Sequence, residues 1–266
     1  MNHKPRKRFG QNFLTDERVV HGIVSAISPR ADEQLVEIGP GLGALTRWLL
    51  QECGRLDVVE LDRDLVEVLR AKFAAEEKLH IHSADALKFD FSSLADGGRR
   101  LRVIGNLPYN ISTPLLFHLF DQSACIKDMH FMLQKEVVER LCAEPGEKEY
   151  GRLSVMARYY CDMEPLMDVY PESFNPQPKI ISSVIRLVPH DKKPVSVAPD
   201  ILNRVVAAAF SQRRKTLRNA LSTLFTSSEI ESLGLDPGTR AERLSLGDYG
   251  LLAELLLQKT ASEGGF

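Results

Sequence analysis

The stretch Leu35-Val36-Glu37-Ile38-Gly39-Pro40-Gly41-Leu42-Gly43 decides the fold. A short apolar run ends in a glycine-rich turn, and Leu45–Leu50 follows at once with the apolar spacing of a helix. The turn reads Gly-x-Gly-x-Gly, not the Gly-x-Gly-x-x-Gly of a dinucleotide fingerprint. No Lys-Ser/Thr pair follows, which excludes a Walker phosphate loop. Working outward, the same alternation recurs. Apolar runs at Leu56–Leu61, Leu79–His82, Leu101–Gly105 and Met129–Gln134 are separated by helical patterns at Leu65–Phe73, Leu115–Phe120 and Val137–Cys142. Strands alternating with helices predict an α/β fold, a parallel sheet with helices on both faces. Upstream, Thr15 reads as the cap of a helix whose apolar face is Val19, Val20, Ile23, Val24 and Ile27. Downstream, Ala157–Val169 and Ser183–Val188 read as two more strands at an antiparallel edge. Beyond them the pattern is helical only, at Ile201–Phe210, Leu217–Phe225, Ile230–Leu233 and Tyr249–Leu257. The expected division is a sheet domain over residues 1–190 with a basic arm at 1–14, a linker at 191–199, and a small all-helical C-terminal domain at 200–266.

With 266 residues, 44% of them hydrophobic, the chain is long enough for a substantial core. Its 17 glycines and 14 prolines are unremarkable, which excludes collagen-like and broadly disordered classes. The longest uncharged stretch, Val103–Phe120, holds two prolines, two asparagines and a histidine, so no membrane span is expected. Met1–Arg8 is basic with no apolar run after it, unlike a secretory signal. Cys53, Cys125, Cys142 and Cys161 lie far apart and read as reduced thiols of a cytoplasmic protein. The formal net charge of −2 hides an uneven distribution. Residues 1–8 and 201–220 carry nine of the 34 cations and no acid, leaving 25 cations against 36 acids elsewhere. Two basic patches on an acidic body suit a polyanionic partner better than the total suggests.

The glycine loop resembles the S-adenosylmethionine loop of class I methyltransferases, which have a Rossmann-like sheet. In that family, glycines let the backbone approach the amino-acid and sulfonium end of the cofactor. Two acids stand where the resemblance needs them. Glu60 ends the second strand in Val58-Val59-Glu60-Leu61-Asp62, where a carboxylate can accept both ribose hydroxyls. Asp85 follows the third strand in Ser83-Ala84-Asp85-Ala86, placed to accept from the adenine amine of the cofactor. All these elements lie at the carboxyl ends of neighbouring strands, where open α/β sheets bind ligands.

Asn106-Leu107-Pro108-Tyr109 follows the fourth strand. Such a turn can be purely structural, but it also suits one chemistry. The exocyclic amine of adenine is a poor nucleophile because its lone pair is delocalised into the ring. Carbonyl oxygens of Asn106 (side chain) and Leu107 (backbone) accepting its two hydrogens would favour pyramidal nitrogen and aim the lone pair. Pro108 fixes the backbone and offers no competing N–H. Tyr109 would stack on an extruded base.

Along essentially its whole length the chain resembles the KsgA-type ribosomal RNA adenine dimethyltransferases. The likeness rests on Phe9-Gly10-Gln11-Asn12-Phe13-Leu14, Asn106-Leu107-Pro108-Tyr109-Asn110-Ile111-Ser112, Phe174-Asn175-Pro176-Gln177-Pro178-Lys179 and Arg213-Arg214-Lys215-Thr216-Leu217-Arg218. It implies cofactor contacts at Asn12, Leu14, Gly39, Gly41, Glu60, Asp85 and Asn106. It implies base-holding roles for Asn106, Leu107, Tyr109 and Phe174, and a basic C-terminal helix in which Arg213, Arg214, Lys215 and Arg218 bind RNA. Gln177 and Ile180-Ile181 are mild departures from the family's loop. The implied reaction transfers methyl groups from S-adenosylmethionine to N6 of two adjacent adenines. These lie in the 3′-terminal hairpin loop of 16S rRNA, and the setting is an immature 30S subunit. A cytoplasmic monomer is expected, with no membrane and no metal: His80 and His82 have no acids or cysteines at ligand spacing. The alternatives are a macrolide-resistance-type 23S rRNA methyltransferase, whose motif usually has Ile where Leu107 stands, and an assembly or transcription factor acting by binding alone. A DNA adenine methyltransferase fits less well, since those usually read Asp-Pro-Pro-Tyr.

Overall fold

A computed structural model describes residues 11–95, 98–108, 110–212 and 214–263. The basic residues Lys4–Arg8, Phe9, Gly10, Tyr109 and Arg213 therefore lie outside the described residues. The elements in chain order are β1 (Phe13–Leu14), α1 (Glu17–Ile27), β2 (Gln34–Ile38), α2 (Thr46–Glu52), β3 (Arg55–Glu60), α3 (Arg63–Lys72), β4 (Leu79–Ser83), β5 (Leu101–Asn106), α4 (Ser112–Asp121) and β6 (Ile126–Gln134). Then come α5 (Lys135–Cys142), α6 (Arg152–Tyr160), β7 (Cys161–Val169), β8 (Phe174–Asn175) and β9 (Ser182–Pro189). The chain closes with α7 (Pro199–Phe210), α8 (Leu217–Ala220), α9 (Ser227–Ser232) and α10 (Leu246–Glu263). It divides into two compact units, residues 1–138 with 163–189 and residues 139–162 with 190–266.

The first unit is built on a sheet of order β4-β3-β2-β5-β6-β9-β7. β2 pairs in parallel with β3 and β5, and β6 continues the parallel set before β9 pairs antiparallel to it. Every residue of β2 is buried, as expected of a central strand covered on both faces. From β2 the chain moves to β3 and β4 on one side and then crosses to β5 on the other. This reversal is the topological switch point that opens a crevice at the carboxyl ends of the strands. On one face, Val20, Ile23 and Ile27 of α1 pack with Leu35, Leu49, Leu56 and Ile104.

A buried ion pair anchors α1 at the opposite end of the strands. Arg102 of β5 meets Asp128 of β6 through Nε at 2.9 Å and Nη2 at 3.1 Å, and Glu33 at 2.7 Å. The same guanidinium donates to the carbonyls of Ile27 at 2.6 Å and Ser28 at 3.2 Å, satisfying acceptors that the end of the helix leaves open. Cys53 and Cys161 are buried, and loss of hydration pushes their thiols up to about 11 and about 12.

Three readings of the sequence change here. Asp16, not Thr15, caps α1, its side chain accepting from the Arg18 N–H at 2.9 Å; the Thr15 hydroxyl instead donates to the Ser173 carbonyl at 3.1 Å. Residues 157–160 are helical: α6 buries Val155, Met156, Tyr159 and Tyr160 at helical spacing, and the strand begins only at Cys161. The described part of the basic segment, residues 214–218, is not one helix. Thr216 bridges to Arg240, and the N–H groups of Leu217 and Arg218 donate to the carbonyls of Thr239 and Pro237 at 2.8 and 3.0 Å, so helix begins only at Leu217 and ends by Ala220.

The second unit packs α6, α7 and α10 around Tyr150, Tyr249, Leu202 and Val206. Two phenols close it: Tyr150 Oη donates to the Leu244 carbonyl and Tyr249 Oη to the Ala241 carbonyl, each at 2.8 Å. Strand–helix alternation alone does not assign residues 139–162 to this unit. They join it because the apolar face of α6 is completed by helices that come later in the chain.

Candidate active site

The loop after β2 is shaped by its glycines. Gly39, Gly41 and Gly43 all have positive φ, at 66°, 58° and 77°, a region that side-chain-bearing residues rarely adopt. A Cβ on Gly41 would also lie 3.0 Å from the Phe13 ring. The Gly39 N–H donates to the Val59 carbonyl at 3.0 Å, and Lys72 Nζ donates to the Leu42 carbonyl at 2.8 Å. The loop is thereby tied to β3 and α3 on either side.

Beside this loop, Glu60 ends β3 with its side chain buried. Burial raises its carboxyl above the usual range, while the N–H groups of Asp62 (2.8 Å) and Gly41 donate to it and oppose the rise. Asp85, half-buried after β4, accepts from the Leu87 N–H at 3.0 Å. At the end of β5, Asn106 donates from Nδ2 to the main-chain carbonyl of Asn12 at 3.1 Å. That bond distinguishes the two ends of the amide and leaves Oδ1 as the acceptor end. Leu107 is buried, with its N–H donating to the Met132 carbonyl at 3.2 Å.

Asn12, Leu14, Gly39, Gly41, Glu60, Asp85, Asn106 and Leu107 line one cavity of about 370 Å³. That size suits a small-molecule ligand. A further acid lines it, Glu37 of β2, which carries no role in the sequence reading. Glu37 is buried and accepts from Thr46 Oγ1 at 2.6 Å. Burial, reinforced by the charge of Glu60, pushes its carboxyl up to about 7. The signal available in the sequence was an acid standing second to last in the central strand, two residues before the first glycine of the loop. Among the described residues, three carboxylates and no Lys or Arg line this cavity, so its chemistry favours a ligand carrying positive charge. S-adenosylmethionine, with its sulfonium, ribose diol and adenine amine, fits that set of acceptors.

The structure does not bring every expected residue to the cavity. Phe174 is buried in the core with Leu14 and Val20 and does not line it. It pairs with Leu14 where β8 runs antiparallel to β1. Tyr109 and Arg213 lie outside the described residues; Arg214, Lys215 and Arg218 are exposed in the second unit. His82 bonds to Asp57 Oδ1 at 2.8 Å, and among the described residues no cluster of His, Cys, Asp and Glu could hold a metal. Among them, too, no helix is long and apolar enough to cross a membrane.

A family model described as ribosomal RNA adenine dimethylase matches residues 2–258. The chain is 59% identical over 256 residues to a Methylococcus capsulatus protein named ribosomal RNA small subunit methyltransferase A, covering 96% of this chain and 99% of that protein. It is 53% identical over 257 residues to the Pseudomonas aeruginosa protein of the same name, covering 96% of each. Among solved structures it is similar to a dimethyladenosine transferase from Plasmodium falciparum, with a TM-score of 0.83 and 24% identity over 93% of this chain and 98% of that one. It is similar also to the 23S rRNA methyltransferase ErmE, with a TM-score of 0.73 and 22% identity over 93% and 100% of the two chains. Those two likenesses establish the methyltransferase fold.

Proposed function

Since the chain belongs to the ribosomal RNA adenine dimethylase family, we propose that it transfers methyl groups from S-adenosylmethionine to N6 of two adjacent adenines of 16S rRNA, giving N6,N6-dimethyladenosines. The adenines lie in the 3′-terminal hairpin loop, and the substrate is an immature 30S subunit met by a cytoplasmic monomer. The observation that carries this reading is the Asn106 amide, whose nitrogen is committed to the Asn12 carbonyl and whose oxygen is the acceptor end, on the cavity that Glu60 and Asp85 also line.

S-adenosylmethionine supplies an electrophilic methyl on a sulfonium centre. Glu60 accepts from the ribose hydroxyls, Asp85 from the adenine amine of the cofactor, and Gly39 and Gly41 admit its amino-acid end. Asn12 and Leu14 close the cavity from the N-terminal side. Asn106 Oδ1 and the Leu107 carbonyl accept the two hydrogens of the target amine, which localises its lone pair and aims it along one line. Catalysis is then orientation and electrostatics, and no side chain with a shifted pKa is needed as base. The nitrogen becomes acidic on methylation and releases its proton to water. For the second transfer only one N–H remains, so one of the two carbonyl acceptors suffices. Tyr109 carries the stacking role, and Phe174, paired with Leu14 where β8 meets β1, supports the N-terminal side of the cavity from within the core. A loop adenine is a reasonable target because a splayed base costs least to extrude. Arg213, Arg214, Lys215 and Arg218, with residues 200–266 as the RNA-binding part, grip phosphates in a salt-dependent way.

The test is methyl incorporation from labelled cofactor into immature 30S particles and into naked 23S rRNA, with mapping of the modified nucleotides. Two adjacent dimethylated adenines near the 3′ end of 16S rRNA are expected. Modification of 23S rRNA instead, or full activity of Asn106→Ala, would overturn the reading.

A further inference from the structure

An amide can hold a base amine only with its oxygen facing the base, and a side-chain amide turns over easily unless something fixes it. Here the fixing group is the main-chain carbonyl of Asn12, 3.1 Å from Asn106 Nδ2. Asn12 lies in the segment leading into β1, which is only two residues long and too short to hold itself. Its place is set by a clip. β1 pairs with β8 through Phe13 with Asn175 and Leu14 with Phe174. Next to this pairing, three donors converge on the Ser173 carbonyl: the Thr15 N–H at 2.8 Å, the Asp16 N–H at 3.3 Å and Thr15 Oγ1 at 3.1 Å.

We propose that the Asn12 carbonyl, held by the Thr15–Ser173 clip, is the positioning group that sets the polarity of the Asn106 amide, and that this group is why an amide and not a carboxylate must stand at residue 106. The inference rests on the base-holding reading of Asn106. Either oxygen of a carboxylate could accept from a base amine, so the base alone does not demand asparagine. The Asn12 carbonyl does, because it needs a donor. An ionised aspartate would set oxygen against oxygen there, whereas a protonated one would restore one donor and one acceptor in the original arrangement. The titratable groups on the same cavity are Glu37, Glu60 and Asp85, all acids, with Lys72 bonded at the glycine loop. The negative charges of the acids raise the pKa of an added carboxyl and Lys72 opposes the rise, so lowering the pH favours its protonated form.

The experiment measures methyl incorporation into 30S particles from pH 6 to 8.5 for the wild type, Asn106→Asp and Asn106→Ala, each folded by circular dichroism. Dividing variant by wild-type rates at each pH removes the pH dependence that the two proteins share. The ratio for Asn106→Asp is expected to rise at least fivefold from pH 8.5 to pH 6, about the worth of one hydrogen bond, while that for Asn106→Ala stays low and flat. A flat ratio for Asn106→Asp, whether high or low, would overturn the proposal while leaving the base-holding reading intact. Wild-type rates in Asn106→Ala would instead remove the reading beneath it. Thr15→Val is expected to lower kcat more than it raises KM for S-adenosylmethionine, with Thr15→Ser restoring the rate. An unchanged kcat in Thr15→Val would overturn the role of the clip.

Discussion

Thr46 donates a 2.6 Å hydrogen bond to the carboxylate of Glu37, and both side chains are buried. Burial pushes the Glu37 carboxyl up to about 7, with Glu60 adding to the rise and Thr46 and Lys72 opposing it. A ligand carrying positive charge favours the ionised form. Binding of S-adenosylmethionine should therefore tighten as pH rises through about 7. Glu37→Gln should bind more weakly at pH 8 and lose that pH dependence, as calorimetric titration from pH 6 to 8.5 would reveal.

The same group makes a stability prediction of opposite sense. Its folded pKa lies above the unfolded value of 4.5, so its contribution is fully present below that value and is lost as pH rises through about 7. Glu37→Gln should raise the unfolding free energy of the free protein at pH 8 relative to pH 5, by at most roughly 3 kcal/mol. Denaturant titrations at the two pH values check it.

Asp128→Ala should be among the most damaging single changes in the first unit. It leaves the Arg102 guanidinium buried beside Ile27 and Ser28 with, among the described residues, Glu33 alone bonded to it as an acid. The expected cost is about 3–5 kcal/mol, while Arg102→Met combined with Asp128→Leu should recover much of it. Urea midpoints for the single and double variants decide the matter.

Gly41→Ala should separate cofactor binding from folding. The left-handed conformation costs an ordinary residue about 1–2 kcal/mol, and the new methyl presses on the Phe13 ring. Relief requires moving the loop or residues 12–14, so affinity for S-adenosylmethionine should fall about tenfold or more while the far-ultraviolet circular dichroism stays unchanged.

In the second unit, Tyr249→Phe keeps the ring and removes the donor to the Ala241 carbonyl. A buried acceptor left without its partner costs about 1–3 kcal/mol. Thermal unfolding should shift down accordingly, whereas Tyr170→Phe, at an exposed site, should leave it in place.

The parallel strands were legible because a strand buried on both faces is rich in apolar residues, and β2, β3 and β5 each carry Leu, Val or Ile around their few buried polar side chains. The cavity residues were legible because Gly39, Glu60, Asp85 and Asn106 follow successive strands, and a parallel sheet carries their carboxyl ends to one rim. What escaped depends on partners distant in sequence. The Thr15 hydroxyl looks like a local cap until Ser173, 158 residues later, takes it. The segment Arg214–Thr216 carries helix-compatible residues but is held open by backbone bonds from 216–218 to 237–240. Tyr159 and Tyr160 suit a strand by type, and only the later helices of the second unit make them one face of α6. Glu37 looked like part of a glycine motif, and its burial against Thr46 is a fact of the packed sheet.

The division of the second unit into 139–162 and 190–266 has a consequence for the order in which the chain is made. A ribosome releases α6 first, then β7, β8 and β9, and only afterwards the helices against which Val155, Met156 and Tyr159 are to rest. During that interval the nascent chain carries a nearly finished sheet and an uncovered apolar helix, the kind of surface that chaperones bind. A stop codon near residue 190 would make the interval permanent, leaving a product that keeps the strands of the cofactor cavity yet aggregates through α6.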